Sequence, residues 1–168
     1  SQGQNLVDET VEGLRVAFGA GQNDQGQYDP ALRRDLVEAA GNRLEVVVLP
    51  KIGSPSDVTF FDTLLSQVES HAHISRRIRI DAQIESARGF LYAREIATAS
   101  SRLDSLLFGA GDYAASMRMP SSGIGELDAH DADFPGFRWA EVMHTIVAAA
   151  RANGLHCMDS PYGNYKDL

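Results

Sequence analysis

Lysine is almost missing from this chain of 168 residues: only Lys51 and Lys166 stand against thirteen arginines, a bias that reads as genomic composition rather than function. Cysteine occurs once, as Cys157, so no internal disulfide can form, which fits a reducing compartment. Its short apolar surroundings, 155–158, suggest a buried, inert thiol rather than a nucleophile. Positive charge is in deficit, and the net charge of −8 argues against nucleic acid or an anionic membrane as partner. No apolar run approaches the roughly 20 residues a bilayer-spanning helix needs, and no secretory signal pattern opens the chain. Together these absences lead to the expectation of a cytoplasmic protein. What is present is ordinary: 43% hydrophobic residues, enough for one domain with a core.

The stretch 78–89 organises the rest. Ile78, Ile80, Ala82 and Ile84 alternate with Arg79, Asp81 and Gln83, the period of a strand. An amphipathic run over 88–99 follows, with Phe90, Ala93, Ile96 and Ala97 at helical spacing. Before it, 14–18 reads as a first strand, and the Gly-, Gln- and Asn-rich 19–27 as a mobile loop, so residues 1–29 are poorly defined. Asp29 and Pro30 then open a helix that Gly41 ends. The run 44–49 resembles a strand buried on both faces. Ser54-Pro55-Ser56-Asp57 starts a helix carrying Val58, Phe61, Leu65 and Val68 on one face. A buried strand is expected at 103–108, a short helical piece at 113–117, a long loop at 120–136, a helix at 137–152 and a last strand at 155–158. The acidic 128–133 segment lacks the glycine turn and closing Glu of a calcium loop and reads as solvated. His144 falls off the apolar stripe of its helix and is placed at the surface.

Strand and helix alternate, which predicts right-handed βαβ units and a parallel sheet of about five strands in a single domain, 1–168. Two architectures fit: an open doubly wound sheet, or an incomplete (β/α)₈ TIM barrel. The abrupt ends favour the partial barrel.

Two carboxylates, Glu85 and Asp112, each stand just past a predicted strand end. Consecutive parallel strands bring such acids to one edge, where hard oxygen donors suit Mg²⁺ better than zinc. Gly89, Gly109 and Gly111 would let backbone N–H groups approach an anion. A strand-end acid also serves as a helix cap, so both roles stay open at this point.

Five segments occur in order: Val47-Val48-Leu49-Pro50-Lys51-Ile52, Gln83-Ile84-Glu85-Ser86-Ala87-Arg88-Gly89, Ala93-Arg94-Glu95-Ile96-Ala97, Phe108-Gly109-Ala110-Gly111-Asp112-Tyr113-Ala114-Ala115 and Ser160-Pro161-Tyr162-Gly163-Asn164-Tyr165-Lys166-Asp167. Over about residues 30–168 the chain resembles the citrate lyase β-subunit-like group of the HpcH/HpaI aldolase superfamily, which includes malyl-CoA and citramalyl-CoA lyases. The resemblance implies an oligomeric (β/α)₈ barrel with one Mg²⁺ (or Mn²⁺) held by Glu85 and Asp112. It implies a carbon–carbon lyase that cleaves or forms a 3-hydroxyacyl-CoA through a metal-bound α-keto acid, glyoxylate or pyruvate, and a CoA-thioester enolate. Arg15 would stabilise oxyanions, the amides of Gly109, Ala110, Gly111 and Asp112 would hold the keto-acid carboxylate, and Pro161, Tyr162 and Gly163 would lie near the CoA thioester.

The chain departs from that pattern. Ala17 and Phe18 stand where the group commonly has an Asn, and Gly53 where it commonly has a Glu. Compared with that pattern, the first barrel strands and the last, with its C-terminal extension, are not expected within these residues. Gly53 leaves room for a malate-synthase-like member that hydrolyses the acyl-CoA product. An aldolase acting on free 4-hydroxy-2-oxo acids is a second alternative. A non-catalytic doubly wound module, such as a receiver-like domain, is a third. The latter needs acids at its first strand end, where this chain has Phe18-Gly19-Ala20-Gly21.

Overall fold

A computed structural model describes residues 44–120 and 138–160. In chain order these form β1 (Val46–Leu49), α1 (Pro55–His71), β2 (Arg79–Ile84), α2 (Ala87–Leu91), α3 (Ala93–Ile96), β3 (Leu103–Phe108), α4 (Ala110–Ser116), α5 (Ala140–Ala152) and β4 (His156–Met158). The expected strand at 14–18, the loop at 19–27, the helix from Asp29 to Gly41, the loop at 120–136 beyond its first residue, and the acidic 128–133 segment lie outside the described residues. Four strands are therefore seen among the described residues, in the spatial order β1-β2-β3-β4, with β2–β3 and β3–β4 parallel. A doubly wound sheet reverses its strand order at a switch point. These four follow chain order without reversal, as successive strands of a barrel do.

The described residues divide into two units. One comprises 44–47 and 60–79. Phe61, Leu65 and Val68 bury one face of α1 at helical spacing, alongside the buried Val47, Ile74 and Ile78.

The other unit comprises 48–59, 80–120 and 138–160 and carries most of the sheet. Ile80, Ala82 and Ile84 of β2 and Leu106 and Phe108 of β3 are buried on one face. α5 packs against β3 and β4 with Val142, Ile146, Ala149 and Ala150 turned inward. Val147 is 40% exposed, and His144 is exposed as expected. Phe108, Tyr113 and Trp139 meet edge to face with centroids 5.5–6.2 Å apart, and Phe90 joins Tyr113 at 6.0 Å. Gly154, at φ 72°, takes the left-handed position after the Asn153 C-cap and turns the chain into β4.

Several boundaries differ from expectation. The helix predicted over 88–99 is two short pieces that part at Tyr92, whose φ and ψ of −101° and 11° leave the helical well. Ser86 caps the first piece, its hydroxyl accepting the Gly89 N–H at 3.0 Å. α4 starts at Ala110 rather than 113, so Asp112 sits in its first turn instead of before it. Cys157 is half-buried rather than fully buried.

Candidate functional site

β2 ends at Ile84, and its alternation puts Asp81, Gln83 and Glu85 on the face opposite Ile80, Ala82 and Ile84. The register pairs Asp81 with Ser105 and Gln83 with Leu107, and continuing it sets Glu85 beside Gly109. Glu85 is only 5% exposed. It is held from two sides: the Lys51 backbone N–H donates to Oε1 at 2.7 Å, and Gln83 Nε2 donates to Oε2 at 2.9 Å. Burial pushes its carboxyl above the ordinary range, and the Asp112 charge adds to that, while the Lys51 N–H and ammonium pull against it.

Asp112 approaches from the first turn of α4, where the helix dipole favours an anion. Its carboxylate is 52% exposed and accepts a 2.7 Å hydrogen bond from Lys51 Nζ, whose side chain is 69% exposed. That bond raises the Lys51 pKa despite partial desolvation. Lys51 thus touches both acids, the buried one through its main chain and the open one through its ammonium. It does so from a left-handed backbone, φ 55°, in the turn after β1. Lys51 and Gln83 have no role in the expectations drawn from sequence. Lys51 follows Pro50 past a strand end, and Gln83 lies two residues before Glu85 on the same strand face, which are the signals that mark them.

Backbone closeness sets the site's dimensions. A Cβ on Gly109 would lie 2.6 Å from both Cβ and Oε2 of Glu85 and 2.9 Å from Gln83 Nε2. A Cβ on Gly89 would collide with the Ile52 carbonyl oxygen. Gly89 is therefore explained by packing, and its N–H is already given to Ser86. The N–H of Gly109 goes to the Ile84 carbonyl at 3.0 Å, and that of Ala110 to Ser160 Oγ at 2.8 Å. Ser160 Oγ in turn donates to the Phe108 carbonyl at 2.8 Å, fastening the end of β4 to the end of β3. Of the four amides expected to face an anion, the first two are committed within the protein. Arg15, Pro161, Tyr162 and Gly163 lie outside the described residues.

Behind the acid pair, Ser105 Oγ donates to Asp81 Oδ1 at 2.6 Å, both residues buried. Among the described residues no group of three or more His, Cys, Asp or Glu side chains is placed to hold a metal. The acids come as a pair. Two hard carboxylates, already drawing a cationic ammonium to the open one, fit a hard divalent cation that completes its shell with water and substrate.

Parallel strands in chain order, with acids gathered past their C-terminal ends, define a domain of (β/α)₈-barrel type. Residues 25–168 match the HpcH/HpaI aldolase/citrate lyase family, and the chain belongs to that family. It is 37% identical over 143 residues to the L-malyl-CoA/beta-methylmalyl-CoA lyase of Cereibacter sphaeroides, a match covering 79% of this chain and 44% of the relative. It is 32% identical over 146 residues to the malyl-CoA/beta-methylmalyl-CoA/citramalyl-CoA lyase of Chloroflexus aurantiacus, covering 79% and 42%. Among solved structures it is similar to protein CitE from Mycobacterium tuberculosis in complex with magnesium and pyruvate, with a TM-score of 0.58, 27% identity, and coverage of 83% of this chain and 49% of that one. The chain spans less than half the length of the curated relatives it matches. No helix among the described residues is long and apolar enough to cross a membrane.

Proposed function

We propose that this chain carries the metal half of a Mg²⁺-dependent carbon–carbon lyase site. The full reaction interconverts a 3-hydroxyacyl-CoA of the malyl- or citramalyl-CoA kind with an acyl-CoA and glyoxylate or pyruvate. The observation that carries the proposal is the convergence of Glu85 and Asp112 at adjacent strand ends, bridged by Lys51. Membership of the family and the lyase names of the relatives support the reaction class.

In this reading Glu85 and Asp112 hold the cation. Bound there, Mg²⁺ supplies Lewis acidity toward the keto oxygen of the substrate. The protein's own residues do the rest. Gln83 and the Lys51 amide fix the Glu85 carboxylate before substrate arrives, so little reorganisation is needed when charge develops. Gly109 lets the β3–α4 turn approach Glu85 closely, so that Asp112 would be at hand to hold the same cation. The amides of Gly111 and Asp112, in the first turn of α4, are the ones left to receive a keto-acid carboxylate. Arg15 carries the oxyanion role that the family resemblance implies.

Calorimetric titration with pyruvate and glyoxylate, with and without Mg²⁺, tests the assignment on the full chain and on Asp112→Ala. Binding that requires Mg²⁺ and is lost at least tenfold in the variant is the expected result. Keto-acid binding that ignores Mg²⁺ in a folded sample would overturn it.

A further inference from the structure

A cation from the chain itself sits against one of the two acids. Lys51 Nζ lies 2.7 Å from Asp112 Oδ2, and the same residue's N–H holds Glu85 Oε1 at 2.7 Å. The two contacts differ in kind. The amide contact is main chain, short and directed at a 5% exposed carboxylate, so it is firmly held. The ammonium contact is made by an exposed, flexible stem to a half-exposed carboxylate, so it is easily broken. A divalent cation shared by Glu85 and Asp112 would repel an ammonium in direct contact with one of them.

We propose that Lys51 is an intrinsic counter-ion of this site: its ammonium holds Asp112 toward Glu85 in the metal-free protein and must leave Asp112 when the divalent cation enters. Lys51 is then a positioning residue that lowers apparent metal affinity while keeping the two acids gathered. The idea rests on the metal reading above and adds a competitor to it. Its size follows from its exposure. Pairs of this kind are weak, so removing the competitor tightens metal binding by about two- to fivefold.

The near-absence of lysine supplies the readout. With lysine labelled at ¹³Cε, the protein gives two lysine signals, from Lys51 and Lys166, and the one missing from Lys51→Met is that of Lys51. Mg²⁺ is titrated into the wild type, Lys51→Met and Lys51→Arg, following the lysine signals by NMR and affinity by calorimetry, with thermal melts to verify folding. The expected result is that Mg²⁺ shifts the Lys51 signal and leaves that of Lys166 in place. Lys51→Met should bind Mg²⁺ two- to fivefold tighter, and Lys51→Arg, which keeps the charge, should stay near wild type. Saturation with Mg²⁺ that leaves the Lys51 signal unmoved, or a Lys51→Met variant that binds Mg²⁺ no tighter, overturns the counter-ion while sparing the metal site. A folded wild type that takes up no Mg²⁺ overturns both.

Discussion

At the scale of the residue, the site depends as much on absent atoms as on present ones. Glu85 is held by Gln83, by the Lys51 amide and by the lack of a side chain at Gly109. Gly109→Ala must displace either the Glu85 side chain or the β3–α4 turn, because a methyl group has no room at 2.6 Å from two Glu85 atoms. We expect Mg²⁺ affinity to fall by tenfold or more and stability to fall by about 1–3 kcal/mol, checked by calorimetry and urea unfolding. Gly53→Ala is the control. Its new Cβ would meet Arg88 Cδ at 3.6 Å, an ordinary contact, and stability should stay within about 0.5 kcal/mol of wild type.

At the scale of the element, β2 and the turn after it were legible in sequence because two periods met there. The period-two run of β2 ended where Glu85 stood, and that alone put the acid at a strand end. The paired strand at 103–108 followed from a buried apolar run, and its parallel register then put Asp112 on the same edge. What the sequence did not show was finer than periodicity. The break at Tyr92 leaves the apolar spacing of 88–99 intact, so a pattern of buried residues cannot distinguish two short helices from one long one. The early start of α4 was hidden by Gly109-Ala110-Gly111, whose glycines read as a turn. The contacts of Lys51 were hidden because they are made from a left-handed backbone and, to Asp112, across a 61-residue separation. The cap on α2 gives this scale its prediction. Ser86→Ala leaves the Gly89 N–H without its partner and should cost about 0.5–2 kcal/mol, read as a lower urea midpoint with an unchanged slope.

At the scale of the whole molecule, Cys157 reports the integrity of the layer between β4 and α5. It is half-buried beside a partly open cavity of about 180 Å³, also lined by Phe108, Met143 and Ile146. Burial pushes its thiol above the ordinary range, with Asp159 adding to the rise and Arg151 opposing it. A thiol whose folded pKa lies above its unfolded value keeps its proton longer in the fold. Its contribution to stability is therefore complete below the unfolded pKa and lost as pH climbs through the folded one. Stability should decline across that alkaline window in the wild type and decline less in Cys157→Ala, measured by urea unfolding at a series of pH values. Being the only cysteine, it also gives an unambiguous alkylation rate, which should be slower than that of the unfolded chain at the same pH.

Gly89 and Gly109 each face an atom of a neighbouring strand end, the Ile52 carbonyl and the Glu85 side chain. The N–H of each is bonded within the protein, and each acts as a gauge that fixes how far apart two loops stand. In a saturation-mutagenesis map both columns would be as blank as those of true ligands, since every replacement adds atoms. Lys51, with its exposed ammonium, would tolerate many replacements. Such a map, taken alone, would rank two spacers among the reactive groups and pass over the residue that touches both acids.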